Sequence, residues 1–325
     1  MSYFHDRYDK IKLPAQDKRK PGLRNSQLGA IHSVLAHFTL RGEPAIIVMP
    51  TGSGKTAVLI LSSFLLRVKR VLVITPSVLV RDQITEEFES LKTLKNCGCI
   101  PQKFKSPKIK KITKRVKTKQ EWLKFEKYDI CVSTPNVVSP SIKGIVKPPD
   151  VLFDTILVDE AHHSPARTWA KLLDSFPNAK KILFTATPFR KDRKEIRGKL
   201  VYAYPLRKAF EDGIFGEIEY YPVKWNGKEN PDVTIAKYAE QIFGKDKKSG
   251  YSHRLMVRTD SKKRANDLKK IYQENTTLNL QVIHSGYSYR HVKKAISLLR
   301  NNELDGIICV SMLGEGFDFP QLKIA

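Results

Sequence analysis

Two α/β domains in tandem, each a mainly parallel sheet flanked by helices, is the fold class this sequence predicts. Three observations lead there. Short β-branched runs alternate with helical patterns along most of the chain, the signature of strands covered on both faces. A length of 325 residues leaves room for two domains of roughly 150 residues each. Hydrophobic residues at 41% and charged residues at 28% match ordinary globular usage and exclude wholesale disorder.

Taken in order, the chain opens on a polar entry and then a helix over Gln27–Phe38, with Leu28, Ile31, Leu35 and Phe38 on one face. Strands follow at Ala45–Met49, Arg70–Thr75, Ile130–Ser133, Thr155–Val158 and Lys181–Thr185. A second series comes at Leu255–Arg258, Leu280–His284 and Gly306–Val310, alternating with helices at Lys262–Gln273 and Tyr289–Asn301. Gly198–Lys224, mixed aromatic and charged, separates the series. The expected division is a first domain over 1–200, a junction over 201–222 and a second domain over 223–325. Pro101–Lys127 stands apart, with eleven Lys and Arg against Glu121 and Glu126. It reads as a basic insert, and its apolar Phe104, Ile109, Ile112 and Val116 imply that part of it folds onto the domain.

Lys and Arg number 58 against 33 Asp and Glu, a net charge of +25. Such a surplus lies on the surface and favours polyanions, nucleic acid before acidic membranes. The longest apolar stretch, Ala57–Leu66, is interrupted by Ser62 and Ser63 and is too short to span a bilayer. The polar start MSYFHDRYDK has no secretory core. Cys97 and Cys99 form a CxC without a matching second pair, which argues against zinc and for a reducing, cytoplasmic setting.

The chemistry sits at strand ends. After the first strand come Met49, Pro50, Thr51, Gly52, Ser53, Gly54, Lys55 and Thr56, then an apolar helix. Gly52 and Gly54 permit a turn whose N–H groups point inward at phosphate oxygens, and the helix start adds its partial positive charge. Lys55 has the reach for β- and γ-phosphates, and the Thr56 hydroxyl suits Mg2+. This is a nucleoside triphosphate site, with ATP and Mg2+ as its cofactors. Ile156–Val158 is followed by Asp159, Glu160, Ala161, His162 and His163. Asp159 is the second metal candidate, Glu160 the general base for an attacking water, and His162 a link to whatever moves when the γ-phosphate leaves. His163 reads as structural.

These blocks together resemble a superfamily 2 helicase of the DEAH/DExH-box group, similar to the helicase subunits of type III restriction enzymes and related phage-defence helicases. The resemblance implies two RecA-like domains. It makes Leu23–Gln27 the adenine-reading Q motif, with Gln27 and Arg24 as candidates. Met49–Thr56 is then motif I and Asp159–His162 motif II. Thr75, Pro76 and Ser77 through Gln83 match motif Ia; Ser133, Thr134, Pro135 and Asn136 match motif Ib. Both are implied to line the nucleic-acid groove by backbone and hydroxyl contacts to phosphate. Thr185, Ala186 and Thr187, running on through Phe189–Asp192, match motif III, which couples hydrolysis to strand movement. His253–Arg258 and Val282–Gly286 resemble the motif IV strand and a backbone-gripping turn, with Arg258, His284 and Ser285 as nucleic-acid candidates; a satisfied histidine at a strand end is the other reading of His284. Ser311–Pro320 resembles motif V, with Gly316 and Asp318 facing the nucleotide.

The implied function is an ATP-dependent helicase or translocase on DNA, RNA not being excluded, with a nuclease or other defence-system subunit as partner and no membrane. Motif VI, the arginine-finger block, has no counterpart before Ala325. The second domain is therefore expected to be incomplete, and hydrolysis by this chain alone slow. The alternative is an ATP-switched nucleic-acid-binding or signalling subunit that unwinds nothing. A RecA-type recombinase is excluded, because motifs Ia, Ib and III belong to helicases.

Overall fold

Near-continuous Val, Ile and Leu runs leave no solvent face, so the strands they form must be sandwiched between helical layers. In chain order the first part of the molecule runs α1 (Asn25–Leu40), β1 (Ala45–Val48), α2 (Lys55–Leu65), β2 (Val71–Ile74), α3 (Val78–Ser90), α4 (Lys92–Asn96), β3 (Ile109–Lys111), α5 (Lys119–Leu123), β4 (Ile130–Ser133), α6 (Pro135–Val138), β5 (Thr155–Val158), α7 (Arg167–Leu173), β6 (Lys180–Thr185), β7 (Lys199–Ala203) and α8 (Leu206–Glu211). The second part runs α9 (Pro231–Lys248), β8 (Arg254–Thr259), α10 (Lys262–Asn275), β9 (Leu280–Ile283), α11 (Tyr289–Arg300), β10 (Gly306–Val310) and β11 (Leu322–Ile324). The structure, a computed structural model, describes residues 2–17, 19–188, 195–214, 216, 218–225, 227–310, 319 and 321–325. They divide into two units, Met1–Gly216 and Glu217–Ala325.

In the first unit the described strands form one parallel sheet of order β3-β4-β2-β5-β6-β1-β7. Alternate side chains of each strand go to opposite faces. Ile47, Val71, Val73, Val132 and Phe184 join one core with residues of α1, α2 and α3. Ile46, Leu72, Ile74, Cys131 and Leu183 join the other, with Trp122, Phe153 and Phe176. In the second unit the sheet order is β11-β8-β10-β9, again parallel. Its helices start on side-chain caps: Ser261 accepts from Arg264 N and Ser288 from His291 N. No helix among the described residues is long and apolar enough to cross a membrane.

Three strands lie where the sequence reading placed none. β3, Ile-Lys-Lys, is held by parallel pairing to β4 at the sheet edge. β7 extends the first sheet beyond residue 200, because Lys199–Ala203 pairs with the otherwise open side of β1. Tyr204 and Ala209, inside the expected junction, are buried with the first unit's core. The boundary between the units accordingly falls after Gly216. β11 pairs with β8 across a register shift. The basic insert folds in part onto the first unit: Phe104, Ile112, Val116, Trp122 and Phe125 are buried.

Candidate nucleotide and nucleic-acid sites

Parallel strands end on one side of their sheet, so the sheet order alone decides which strand ends are neighbours. The run β5-β6-β1 sets the end of β6, Thr185, between the phosphate-loop candidate after β1 and the Asp159–Glu160 pair after β5. The run β4-β2-β5 sets Thr75 and Ser133 together on the other side of the pair. Backbone bonds extend these registers beyond the strands: Met49 N donates to Thr185 O at 2.9 Å, Asp159 N to Ile74 O at 2.9 Å and Thr75 N to Ser133 O at 3.0 Å.

The turn over Pro50–Gly54 needs two left-handed residues, and both are glycines, Gly52 with φ +81° and Gly54 with φ +88°. Ser53 is fully buried and ties the turn to itself, its Oγ donating to Pro50 O at 2.6 Å. Helix α1 braces it from outside. Ser26 Oγ donates to Ser53 O at 3.2 Å, Gln27 Nε2 to Gly54 O at 3.2 Å and Arg24 Nη1 to Gly52 O at 2.7 Å. Gln27 Oε1 accepts from Arg24 N at 2.8 Å, so both polar ends of this side chain already bond within the protein. The structure thus brings Arg24 and Gln27 to the loop. Ser26, which the sequence did not single out, does the same work; its place beside Gln27 in the helix's first turn was the available signal.

A Cβ on Gly54 would lie 2.2 Å from Gln27 Nε2 and 2.9 Å from its Cδ. Gly54→Ala is therefore expected to destabilise the first unit by about 1–2 kcal/mol through left-handed strain and to weaken triphosphate binding, because the brace must move. Thermal unfolding with and without nucleotide tests this; an unchanged midpoint and an unchanged nucleotide shift would contradict it.

Asp159 and Glu160 are both buried. Lys55 Nζ lies 2.9 Å from Glu160 Oε1, with only 13% and 4% of the two side chains exposed. Burial pushes the Asp159 carboxyl up to about 6, against the pull of Lys55, with Glu160 adding to the rise. Glu160 adopts φ +54°, ψ +54°, a left-handed conformation that is uncommon and costly for a residue with a Cβ. His162 Nδ1 sits 3.5 Å from Glu160 Oε2 and 3.2 Å from Thr185 Oγ1. Thr185 Oγ1 also accepts from Thr187 N and donates to Thr187 O, each at 3.1 Å. The histidine therefore joins the carboxylate pair to the candidate coupling segment Thr185–Thr187. His163 stacks on Trp169 at 5.9 Å, a packing contact.

No cluster of three or more His, Cys, Asp or Glu suited to a metal occurs among the described residues. A divalent ion here would take Asp159 and Thr56 and complete its shell with phosphate and water oxygens, as Mg2+ commonly does. A buried carboxylate with a raised pKa is a donor whose ionised form such an ion favours. Above Gly52, moreover, no atom lies within 4 Å of where a Cβ would stand, so the loop is open to a phosphate. The residues present fit a triphosphate with its metal.

On the nucleic-acid side, Thr75 and Ser133 are fully buried. Thr75 Oγ1 donates to Ser77 O at 3.2 Å and Ser133 Oγ to Thr134 O at 3.1 Å. Their hydroxyls face inward, so what these positions offer outward is backbone. Thr134 and Pro135 are buried too, Pro76, Ser77 and Gln83 are half-buried, and Asn136 is exposed. Ser77 Oγ caps α3 by accepting from Val80 N.

In the second unit, Arg258 and Ser285 are exposed, at the ends of β8 and after β9. His284 is buried and satisfied: Nδ1 accepts from Gly286 N at 3.1 Å. Its ring stacks on Tyr287 at 4.3 Å, which stacks on His291 at 4.2 Å. Gly316 and Asp318, and the Phe189–Asp192 continuation of Thr185–Thr187, lie outside the described residues.

Residues 20–190 match the family model described as Type III restriction enzyme, res subunit. Among curated proteins, the chain is 26% identical over 335 residues to a protein of Sulfolobus islandicus filamentous virus (isolate Iceland/Hveragerdi) provisionally named helicase 22, covering 93% of this chain and 57% of the relative. It is 23% identical over 237 residues to a Saccharomyces cerevisiae protein provisionally named ATP-dependent helicase IRC3, covering 62% of this chain and 33% of the relative. The chain thus spans between a third and three fifths of the curated relatives it matches. Two solved structures share the architecture. A variant of S. cerevisiae Dbp5 bound to RNA and ADP BeF3 gives a TM-score of 0.62 at 17% identity, over 93% of this chain and 77% of that one. The ATP-dependent type ISP restriction-modification enzyme LlaBIII bound to DNA gives 0.57 at 18% identity, over 94% of this chain and 25% of that one. At these identities the likeness is one of fold, the parallel sheets of RecA-like helicase units.

Proposed function

Because the chain belongs to the type III restriction enzyme res subunit family, a family of helicase type, we propose that it is the motor part of an ATP-dependent helicase or translocase acting on DNA. One observation carries the reading: Lys55 of the phosphate loop meets the buried Glu160 at 2.9 Å, beside Asp159. Lys55, Asp159 and Glu160 thus share one strand-end cluster, which supports reading them as a phosphate-binding cation, a metal-binding carboxylate and a base. In this reading the loop amides and Lys55 hold the β- and γ-phosphates, and Arg24 and Gln27 flank the base-binding side. Thr56 and Asp159 would hold Mg2+, which when bound would neutralise charge on the phosphates. Glu160 takes the proton of the attacking water. His162 relays a shift of Glu160 to Thr185, and from there to Ala186 and Thr187.

Thr75–Gln83 and Ser133–Asn136, with Arg258 and Ser285 of the second unit, are the proposed contacts to the strand, made largely through backbone groups in the first unit; buried His284 is assigned to packing instead. DNA is preferred on the ground of the family. Gly316 and Asp318 remain proposed nucleotide contacts by resemblance, as does a nuclease or other defence subunit as a cytoplasmic partner. ATP hydrolysis measured alone and with single-stranded DNA, duplex DNA and RNA tests the reading. Stimulation several-fold or greater by a DNA form is expected. Stimulation by RNA alone would reassign the substrate, and ATP binding without stimulation by any of them would favour the switch reading instead.

A further inference from the structure

At the β3 edge of the first sheet a groove of about 410 Å3 is walled by the basic insert. Five of its lining cations are Lys110, Lys114, Arg115, Lys124 and Lys127; among the described residues none of them meets a carboxylate at ion-pair distance. Lys111 differs, with Nζ 3.0 Å from Asp82. The groove's acid, Glu121, offsets little of this charge. Its carboxylate accepts from Lys117 N at 2.6 Å and from Thr118 N at 3.3 Å, closing a capping box at the start of α5.

The walls are fixed. Trp122 is fully buried and its Nε1 donates to Val146 O at 2.9 Å. Val116 N donates to Val137 O at 3.2 Å, Val146 N to Val116 O at 3.1 Å and Ile112 N to Val132 O at 2.9 Å. Those last bonds fasten the groove to either side of Ser133–Asn136, the proposed strand contacts after β4. A charge run held in place by its own core needs little further ordering when an anion arrives. Lysines on an edge strand also discourage unwanted pairing, but Lys114, Arg115, Lys124 and Lys127 lie off β3 and serve no such purpose.

We propose that this groove is an accessory cradle for the phosphate backbone, carrying the bound strand from Ser133–Asn136 on towards the β3 edge. The proposal rests on the nucleic-acid reading above and adds a second stretch of contact to it. Regularly spaced phosphates, rather than an acidic protein surface, suit five cations spread along one groove that continues a proposed strand path.

The test is a variant of the full chain carrying Lys114→Ala, Arg115→Ala, Lys124→Ala and Lys127→Ala. Its affinity for single-stranded DNA oligonucleotides of roughly 5 and 20 nucleotides is read against salt concentration. Each lost phosphate contact lowers the slope of log K against log salt by about 0.7, so a fall of about 2–3 is expected with the long oligonucleotide, and little change with the short one. Affinity for the long oligonucleotide should drop at least about tenfold at moderate salt. The unfolding midpoint and the affinity for a fluorescent ATP analogue should not move. The pair Lys114→Ala and Arg115→Ala, and the pair Lys124→Ala and Lys127→Ala, should each give about half the change in slope.

An unchanged slope in the variant, where the parent chain does bind DNA, overturns the groove alone. So does an equal loss on both lengths, which marks a diffuse field, or a loss seen only on phosphatidylserine vesicles. A parent chain that binds ATP and no nucleic acid overturns the strand-binding reading and the groove together.

Discussion

Lys55→Ala is expected to lower ATP turnover at least about 10²-fold, the usual effect of removing one preorganised group that stabilises charge on a reacting phosphate or acyl centre. Two consequences of the same 2.9 Å contact go with it. The triphosphate loses the one lysine the loop presents, so nucleotide affinity falls as well as turnover. Glu160, with 4% of its side chain exposed, loses its lysine partner, and a buried carboxylate left so costs about 3–5 kcal/mol. Thermal unfolding of the variant without nucleotide reads that cost directly. Strand binding should keep its salt dependence, since Lys55 sits on the phosphate loop against Glu160 and does not line the basic groove. Turnover within threefold of the parent would show that the phosphate site lies elsewhere.

Glu160→Gln should lower turnover by about 10²- to 10⁴-fold, the range expected when a positioned base is lost, and leave nucleotide binding in place. The amide keeps the shape of the carboxylate and an oxygen for Lys55 Nζ, so the loop retains its geometry. What disappears is the capacity to accept a proton. The variant should hold ATP and strand together, seen as slow nucleotide release in the presence of single-stranded DNA. Normal turnover would mean that another group takes the proton and would withdraw Glu160 from the mechanism. The two substitutions separate binding from chemistry: one removes both, the other only the second.

Much of this could be read from the chain because the physics was local. β-branched runs long enough to be buried on both faces, such as Val71–Ile74 and Thr155–Val158, have few other ways to fold. Gly52, Gly54, Lys55 and Thr56 follow one such strand and open a helix, so the anion site was legible too. The strands missed are a polar edge strand and a run read as part of a mixed junction. Ile-Lys-Lys becomes β3 because β4 offers unpaired backbone, and Lys199–Ala203, whose Leu-Val-Tyr-Ala run lies in the stretch read as the junction, becomes β7 on the open side of β1. Helix α9 was missed for a related reason, since only Ala236 and Phe243 of its 18 residues are buried. Within the site, the residue types were legible and their partners were not. Gln27 also bonds Gly54 O because α1 packs on the loop, and His162 reaches Thr185 because β5 and β6 are neighbours in the sheet, which no local pattern encodes.

That order has a kinetic side. β1, the strand that delivers the phosphate loop, has β6 and β7 as its neighbours; Ala45 pairs with Ile182 and with Lys199. During synthesis the segment Ala45–Val48 therefore emerges long before anything it can pair with. The loop's left-handed glycines and its brace from α1 can form early, but the sheet position that aims Lys55 at Glu160 waits for the chain to reach Lys180. Pairings of such long range close slowly, and an apolar strand left waiting is exposed to aggregation. The nucleotide site is thus among the last parts of the first unit to be completed.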